Sequence, residues 1–441
     1  MALDDYRADG MRCNRCSYCK WIPLDRIKSW EFAKGCPSVD YRHFHAYSAG
    51  GRMITILSLT DGRSEISDEM VDIAYECTLC GQCDVSCKVC RYDMHILSAA
   101  REFRYYLNQK GVVPAAYPEI IGKLRESGNM AGAPQADRAN WAEGLGLKKL
   151  RAAGAVPGAA GAADPDTVDK AEVLLHAGCR YSFDPTLRTA VQAAAKLLTK
   201  GGVDFAIDGD EGCCAGKAYD MGYRDDFTAA AEANLKKWAE AGVKTVVAPC
   251  ATCFWTFKRL YPKVAAGGYE IEVLHAVQVV DKLLKDGKLE LKTPVPIKVT
   301  YHDPCHLGRQ GEDYVPWDGK EAKIYGQAVV YDPPRPRYNG AFGVYQPPRD
   351  VLKAIPGLEL VEVERTKEAA WCCGGGGAVP QAYPEFGAFT AGKRLDEAKS
   401  TGAEAIATAC PGCVKMLGGA VAADGSTMKA IDVLELVEQA L

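Results

Sequence analysis

Closely spaced cysteines restrict this chain more than any other feature of its sequence. It contains 19 cysteines, and 18 of them fall into four groups that each include a CxxC pair. A CxxC pair places two thiolates on one turn, where they can hold one metal ion or one edge of a cluster. In a large chain without a secretion signal, metal or redox chemistry is favoured over disulfide bonds.

Composition excludes several classes of function. The chain has 441 residues, of which 48% are hydrophobic and 25% charged, as in a soluble globular protein of two or three domains. Its net charge of -4 gives no reason to expect a nucleic-acid partner. It has no apolar run of about 18 residues, and Met1 to Gly10 is polar. We therefore expect no membrane span and a cytoplasmic protein.

The N-terminal part carries two cysteine motifs of the ferredoxin type. The clearer one has the spacing C-x2-C-x2-C-x3-C and consists of Cys77, Cys80, Cys83 and Cys87. This spacing wraps three thiolates round one [4Fe–4S] cube and sends the fourth to a neighbouring cube. The first motif repeats the triple as Cys13, Cys16 and Cys19, followed after sixteen residues by Cys36.

A cross-over of the fourth ligands is expected between these motifs. It would assign Cys13, Cys16, Cys19 and Cys87 to one cubane [4Fe–4S] cluster, and Cys77, Cys80, Cys83 and Cys36 to the other. Cys90 is an alternative to Cys87, which its spacing favours. Zinc sites are the alternative for the triples, but zinc prefers two separated pairs of ligands. His43 and His45 are interpreted as ordinary histidines.

The predicted fold class is α/β, preceded by a helical ferredoxin-like two-cluster domain over residues 1–127. An amphipathic helix is predicted over residues 94–109. Residues 128–168 are rich in Ala, Gly and Pro, which predicts a linker. From residue 169 onward, short apolar runs alternate with helical patterns, which indicates a mainly parallel sheet covered on both faces.

The C-terminal part contains two matched sets of five cysteines. The first set consists of Cys179, Cys213, Cys214, Cys250 and Cys253, and the second of Cys305, Cys372, Cys373, Cys410 and Cys413. The gap between the adjacent pair and the CxxC pair is 35 residues in one set and 36 in the other. Such a match indicates duplication, with domains at 169–294 and 295–441. The cysteines follow predicted strands, so each set can converge at the carboxyl ends of a sheet.

These two blocks resemble the duplicated CCG domain of the heterodisulfide reductase catalytic subunit. The N-terminal part is similar to the two-cube iron–sulfur partner of that subunit, here on the same chain. The fused layout also resembles the iron–sulfur subunits of anaerobic glycerol-3-phosphate dehydrogenase and of lactate-oxidising complexes. The first adjacent pair is followed by Ala215 rather than glycine, which leaves the ligands unchanged.

The resemblance implies one or two noncubane [4Fe–4S] clusters, each held by one five-cysteine set. It implies that the second set, Cys305, Cys372, Cys373, Cys410 and Cys413, is a reaction centre at which a disulfide is reductively cleaved. His302, Asp303 and His306 flank Cys305. A histidine there can deliver protons, or it can orient the cluster through hydrogen bonds. Gly374 to Gly377 is interpreted as a close backbone approach to the cluster.

An insertion rich in tyrosine and proline is predicted at residues 311–341 of the second block. It is interpreted either as a solvated loop or as a lid or docking surface over the second cluster. The chain has no strand–GxGxxG–helix unit for a flavin or nicotinamide, so electrons must come from a flavin-containing or other redox protein subunit.

Two functions remain open on the sequence alone. The first is an iron–sulfur oxidoreductase subunit that performs two-electron chemistry such as disulfide reduction. The second is an electron-transfer subunit without a substrate of its own. The resemblance points either to a relay in a larger soluble electron-bifurcating complex of the benzoyl-CoA reductase type or to the iron–sulfur subunit of an anaerobic glycerol-3-phosphate or lactate dehydrogenase.

Overall fold

The computed structural model describes residues 2–90, 94–151, 166–265, 268–313, 317–325 and 328–441. Three units can be distinguished along the chain, and one large cluster of buried apolar side chains runs through all of them. Within these ranges, no helix is both long enough and apolar enough to cross a lipid bilayer.

The N-terminal unit is helical, as predicted. Its helices are α1 (Arg7–Arg12), α2 (Pro37–Arg42), α3 (Ala49–Thr60), α4 (Asp68–Tyr75), α5 (Gln82–Cys90), α6 (Ile96–Gln109) and α7 (Tyr117–Ser127). Short 3₁₀ turns lie at Leu3–Tyr6, Tyr18–Lys20, Leu24–Arg26 and His45–Tyr47. The predicted amphipathic helix is confirmed as α6, which buries Phe103 and Leu107 because apolar residues recur along it at helical spacing.

The second unit is built on a parallel sheet. Its strands are β1 (Lys149–Leu150), β2 (Thr167–Val168), β3 (Val173–Leu175), β4 (Ala206–Asp208), β5 (Thr245–Ala248) and β6 (Glu272–His275), in the spatial order β2-β1-β4-β3-β5-β6. Its helices are α8 (Cys179–Phe183), α9 (Arg188–Lys200), α10 (Gly216–Met221), α11 (Arg224–Ala241), α12 (Ala251–Trp255) and α13 (Ala276–Lys285). A π-turn at Thr256–Leu260 and a 3₁₀ turn at Tyr261–Lys263 continue α12.

The third unit repeats this plan with a smaller parallel sheet. Its sheet strands are β7 (Lys298–His302), β10 (Glu359–Val361), β11 (Ala405–Thr408) and β12 (Lys429–Asp432), in the order β10-β7-β11-β12. Its helices are α14 (Gln346–Ala354), α15 (Val379–Ala382), α16 (Pro384–Lys399), α17 (Pro411–Asp424) and α18 (Val433–Gln439), with a 3₁₀ turn at Lys367–Ala369.

The two sheets share one topology. The central order β4-β3-β5-β6 of the first corresponds to β10-β7-β11-β12 of the second, strand for strand along the chain. In both sheets, parallel pairing brings the carboxyl ends of the strands to one edge. The α/β class and the duplication inferred from the cysteine gaps therefore agree with the structure.

Part of the predicted linker is folded, so the prediction of a linker over 128–168 is wrong for those residues. A 3₁₀ segment at Gln135–Ala142 buries Trp141, and β1 pairs with β4 at the edge of the first sheet. A composition rich in alanine and glycine is typical of linkers, whereas strand pairing depends on partners far away in the sequence. Residues 152–165 lie outside the described ranges.

The insertion predicted at 311–341 contains an antiparallel hairpin of β8 (Lys320–Ile324) and β9 (Ala328–Asp332). Trp317 packs edge-on against Tyr331 beside it, with ring centroids 5.5 Å apart. The base of the insertion contacts α5, because Lys88 donates to the Tyr338 carbonyl oxygen at 3.0 Å. The insertion therefore touches the helix that carries Cys83 and Cys87. Residues 314–316 and 326–327 are outside the described part.

Candidate metal centres

The first thiol set surrounds a cavity at one end of the helical unit. Cys13, Cys16, Cys19 and Cys87 all line it. The chain between the first three turns sharply, because Arg15 and Ser17 adopt positive φ angles of 55° and 67°. Cys87 reaches the cavity from α5. Cys16 is exposed, whereas the other three thiols are buried.

The second thiol set lies at the N-terminal end of α5. Cys36 precedes α2, and its thiol lies close enough to Cys77 and Cys80 for each to raise its pKa. Burial is the larger cause and raises the pKa of the Cys36 thiol to about 12. Cys83 is in the first turn of α5 and faces the same group.

The structure thus brings the cysteines together in the crossed arrangement expected from the spacing. Cys87 joins the first triple and Cys36 joins the second. Cys90 is the last residue of α5, and its side chain is not among those described.

The first five-cysteine set gathers beyond the carboxyl ends of β3, β4 and β5. Cys179 hydrogen-bonds to Cys213, and Cys214 lies 3.5 Å from Cys253, sulfur to sulfur. Cys253 also interacts with Cys250. The five thiols therefore form a continuous chain.

The second set repeats this arrangement beyond β7, β10 and β11. Cys372 contacts Cys373, Cys373 contacts Cys413, and Cys413 contacts Cys410. Cys305 follows β7 and lies near the adjacent pair, whose charges raise its pKa in addition to the larger effect of burial.

Equivalent cysteines have equivalent environments in the two sets. The backbone N–H two residues after the first cysteine of each adjacent pair donates to that sulfur: Ala215 to Cys213 at 3.4 Å and Gly374 to Cys372 at 3.3 Å. The second cysteine of each pair accepts hydrogen bonds from two neighbouring thiols, which lowers the pKa of both Cys214 and Cys373 well below the usual value for a thiol. This repetition ties the duplication to the thiol sites.

Two contacts join the sets to one another. The Cys80 thiol of the helical unit lies close enough to Cys372 of the second α/β unit for the two thiols to interact. The Cys250 thiol of the first α/β unit likewise lies close enough to Cys410 of the second for the two thiols to interact. Thiols therefore follow one another without a break from the second ferredoxin motif, through the second five-cysteine set, to the first.

Glycine makes the contact between the helical unit and the second α/β unit possible. A Cβ atom at Gly376 would overlap the carbonyl oxygen of Thr78, and one at Gly377 would lie 2.7 Å from the carbonyl oxygen of Cys77. The run Gly374 to Gly377 therefore lets two backbones approach, one of which belongs to a cysteine motif. The sequence had indicated a close approach to a cluster.

Three buried arginines at these centres were missed in the sequence. Arg104 binds the carbonyl oxygens of Ala74, Tyr75, Cys77, Asp220 and Gly377, so it touches all three units. Arg138 donates to the Cys179 sulfur at 3.3 Å and to Glu211 at 2.6 Å. Arg309 donates to the Cys80 carbonyl oxygen at 2.7 Å. Only Arg309 is near a predicted ligand in the sequence, four residues after Cys305, and Arg138 lies in the segment predicted to be a linker.

The histidines beside Cys305 are buried and neutral. Burial, and next the charge of Arg394, lower the pKa of His302 to about 3. Burial also lowers the pKa of His306 to about 4; its ring stacks on Trp255 with centroids 4.4 Å apart. Both carboxylate oxygens of Asp303 accept hydrogen bonds from the Arg349 guanidinium, at 2.7 and 2.8 Å. All three side chains are fixed by neighbours, as expected for groups that orient a site.

The donor atoms fit iron–sulfur clusters. Each of the eighteen predicted ligands is a free thiol rather than half of a disulfide. Burial raises the pKa of Cys83 and Cys305 well above that of an exposed thiol, so these groups ionise only beside a strong positive charge. Sets of four or five soft thiolates, with backbone N–H groups donating to sulfur, are typical of such clusters.

Family models match most of the cysteine-bearing parts of the chain. A 4Fe-4S dicluster domain matches residues 10–90, and a cysteine-rich domain named CCG matches residues 173–258 and 335–418. The first match contains both ferredoxin-type motifs. The two CCG matches lie in the two α/β units, and each contains one adjacent cysteine pair.

Curated relatives align with most of the chain. The chain is 28% identical to one of the subunits of the dihydromethanophenazine:CoB–CoM heterodisulfide reductase of Methanosarcina barkeri, over 97% of the chain and 93% of the relative. It is 28% identical to the probable iron-sulfur-binding oxidoreductase FadF of Bacillus subtilis, over 92% of the chain and 53% of FadF. It is also 28% identical to the EtfAB:quinone oxidoreductase of Syntrophomonas wolfei, over 83% of the chain and 46% of that relative.

The family matches follow the same order as the units of the structure, with one dicluster domain on the helical unit and one CCG domain on each of the two α/β units. The chain is therefore an iron–sulfur electron-transfer protein with a 4Fe-4S dicluster domain and two CCG cysteine-rich domains, and its homologues include heterodisulfide reductase subunits and related iron–sulfur oxidoreductases.

Proposed function

We propose that this chain is an oxidoreductase subunit that conducts electrons along four thiolate sets in a fixed spatial order. The order begins at the set of Cys13 and continues to the set of Cys77. It then passes to the second CCG set, that of Cys305, and ends at the first CCG set, that of Cys179. The thiol contacts Cys80–Cys372 and Cys250–Cys410, which link the last three of these sets, are the observation that carries this proposal. The first set adjoins the second along α5, which carries both Cys83 and Cys87.

The cofactors proposed are two cubane [4Fe–4S] clusters on the dicluster domain and one or two noncubane [4Fe–4S] clusters on the CCG sets. When bound, cubane clusters supply one-electron carriers and a noncubane cluster supplies a site for two-electron disulfide chemistry. The protein supplies the thiolates, the N–H donors of Ala215 and Gly374, and an environment that excludes water.

The proposed order of electron transfer can be tested by removing a thiol in the middle of it. In a Cys80→Ser variant, rapid-mixing reduction by a protein electron donor is expected to reach the first ferredoxin-type set but to slow by at least about tenfold at both CCG sets. Cys179→Ser is the matched control. Because the set of Cys179 is last in the proposed order, this variant is expected to leave the reduction rates of the other three sets unchanged. Equal rates in all centres of the Cys80→Ser variant would contradict the order.

Disulfide reduction is the first candidate for the use of these electrons, because the relative from Methanosarcina barkeri is named for it. Catalysis would be located at the second CCG set, between its cysteines and those of the first set. The test is to supply dithionite-reduced protein with the CoB–CoM heterodisulfide and count the thiols released. Formation of two thiols for each two electrons consumed supports this candidate.

Electron relay without a substrate is the second candidate. The CCG thiols Cys250, Cys372, Cys373, Cys410 and Cys413 are no more than 7% exposed, which favours transfer of electrons over contact with a bulky disulfide. Flavin-containing or other redox subunits, as in bifurcating complexes of the benzoyl-CoA reductase type, would then stand at both ends. Copurification of the chain with such a subunit and failure to release thiols would support the relay.

A further inference from the structure

One face of the dicluster domain combines an exposed cysteine with cationic and aromatic side chains. We name it the Cys16 face and define it by Arg12, Arg15, Cys16, Lys20, Lys34 and Phe44. Of the eighteen predicted ligands, Cys16 is exposed, while Cys13 and Cys19 beside it are each 8% exposed. The first thiolate set is therefore the one nearest to solvent and stands at the open end of the proposed order.

The charge of this face is opposite to that of the whole chain. The cavity at Cys16 is lined by Arg12 and Arg15, and no carboxylate is among its described lining residues. A neighbouring cavity, which shares His45 with the first, adds Lys20 and Lys34; its one described carboxylate, Asp40, is ion-paired with Lys34. The chain as a whole carries a net charge of -4.

The protonation of His45 reports the same local field. Its pKa is lowered by burial and, after that, by the charges of Lys20 and Arg15. Two side chains from different turns therefore act on one point of the face. A concentrated positive field at a surface steers negatively charged proteins toward it and speeds their association.

Exposed aromatic side chains lie in the Cys16 face and beside it. Phe44 is 64% exposed and lines the cavity that reaches Lys20 and Trp21. Trp30 is 77% exposed and packs edge-on against Trp21, with ring centroids 6.5 Å apart. Aromatic residues are enriched at the centres of protein interfaces, and a charged rim around them fixes orientation. A surface of this kind is expected to be covered by another protein.

We propose that the Cys16 face docks an acidic one-electron redox protein and that electrons enter or leave the chain there. This inference rests on the proposed relay, because it assigns the partner of the first thiolate set. Each transfer moves one electron from the reduced partner, which is oxidised, to this chain, which is reduced; no covalent bond changes. Charge complementarity selects the partner, since the cationic face attracts an acidic surface that the rest of this acidic chain repels.

The experiment measures binding directly. The iron-loaded chain is passed under anaerobic conditions over an immobilised acidic plant-type [2Fe–2S] ferredoxin, and over the same ferredoxin after its carboxylates have been converted to neutral amides. Binding to the first alone is expected, with a Kd that weakens about tenfold between roughly 50 mM and 200 mM salt.

Two variants locate the contact. Arg15→Glu combined with Lys20→Glu is expected to weaken binding at least about tenfold, since two attractive charges become repulsive. Lys236→Glu, an exposed lysine on α11 of the first CCG domain, is the matched control and leaves the Kd unchanged. Phe44→Ser is expected to weaken binding about fivefold, whereas Phe342→Ser, at a phenylalanine that is 81% exposed in the other CCG domain, has no effect.

Several results would overturn the proposal. They are equal binding of the amidated ferredoxin, absence of binding at the lower salt concentration, and an unchanged Kd in the double charge variant. If the chain dimerises and the double charge variant abolishes this dimerisation, the face binds a second copy of the chain. If the chain binds phosphatidylglycerol vesicles and the same variant abolishes this binding, the face binds lipid. Iron content and reduction by dithionite are measured for every variant. If the unchanged chain accepts no electrons from dithionite, the relay itself fails, independently of docking.

Discussion

Arg309 of the second CCG domain donates from Nε to the carbonyl oxygen of Cys80 in the dicluster domain at 2.7 Å. The same guanidinium binds the side-chain oxygen of Gln82 and the carbonyl oxygens of Glu368 and Ala370. One buried side chain thus fixes the backbone of a ferredoxin-type motif against the domain that contains Cys372, the thiol that Cys80 contacts.

Removal of this side chain should loosen the two domains. Arg309→Ala leaves several buried carbonyl oxygens without donors, so we expect the free energy of unfolding to fall by about 3 kcal/mol. The measurement is urea denaturation of the iron-loaded protein. Arg26→Ala is the control, because Arg26 also binds Glu368, at 2.6 Å, but its side chain is 52% exposed; about 0.5 kcal/mol is expected. Equal losses in the two variants would contradict the role given to Arg309.

Cys87 and Cys90 should differ in iron binding. Cys87 shares a cavity with Cys13, Cys16 and Cys19, so Cys87→Ser is expected to lose up to about four iron atoms per chain, the content of one cube. Cys90→Ser is the matched control and should keep its full iron content. Anaerobic iron and sulfide analysis decides between them, and loss of iron from the Cys90 variant instead would move the fourth ligand to that residue.

Gly376 should not tolerate a methyl group. A Cβ atom there overlaps the carbonyl oxygen of Thr78, so Gly376→Ala is expected to cost about 2 kcal/mol and to separate the dicluster domain from the second CCG domain. Gly392→Ala provides the control, because Gly392 lies in α16 with no atom near its Cβ position, and there alanine should stabilise by about 0.5 to 1 kcal/mol. Thermal unfolding measures both; a neutral Gly376→Ala would remove the steric argument.

His302 should tune the reduction potential of the second CCG set. Arg394 donates to its Nδ1 at 3.0 Å, so the ring proton is on Nε2, which has no hydrogen-bond partner among the described residues. A ring nitrogen lies within 4.8 Å of the Cys373 and Cys413 sulfurs. Hydrogen bonds to sulfur stabilise the reduced state.

His302→Leu removes that donor. If the bond contributes about 1.4 kcal/mol, the one-electron potential should fall by about 60 mV. The measurement is a redox titration followed by electron paramagnetic resonance, with His43→Leu, at an exposed histidine, as the control. An unchanged potential would show that His302 does not face the sulfurs. Loss of iron would make it a ligand.

Much of the fold followed from local patterns. Apolar runs ending before Cys179, Cys250, Cys305 and Cys410 predicted strands that the structure contains as β3, β5, β7 and β11. Their identification depended on short stretches of sequence only. The composition of residues 135–150 wrongly predicts a linker, because the folded state of this segment depends on the burial of Trp141 and on the pairing of β1 with β4, neither of which is visible locally.

The sequence by itself determined which cysteines can act together within a motif. A CxxC pair lies on one turn whatever surrounds it, and the matched gaps of the two CCG sets repeat one strand–helix plan. Only the tertiary structure decided which sets are neighbours. Cys80 meets Cys372, and Cys250 meets Cys410, because buried arginines and glycines let three domains pack closely. Contacts between residues so distant in sequence arise from the packing of whole domains, which no local spacing encodes.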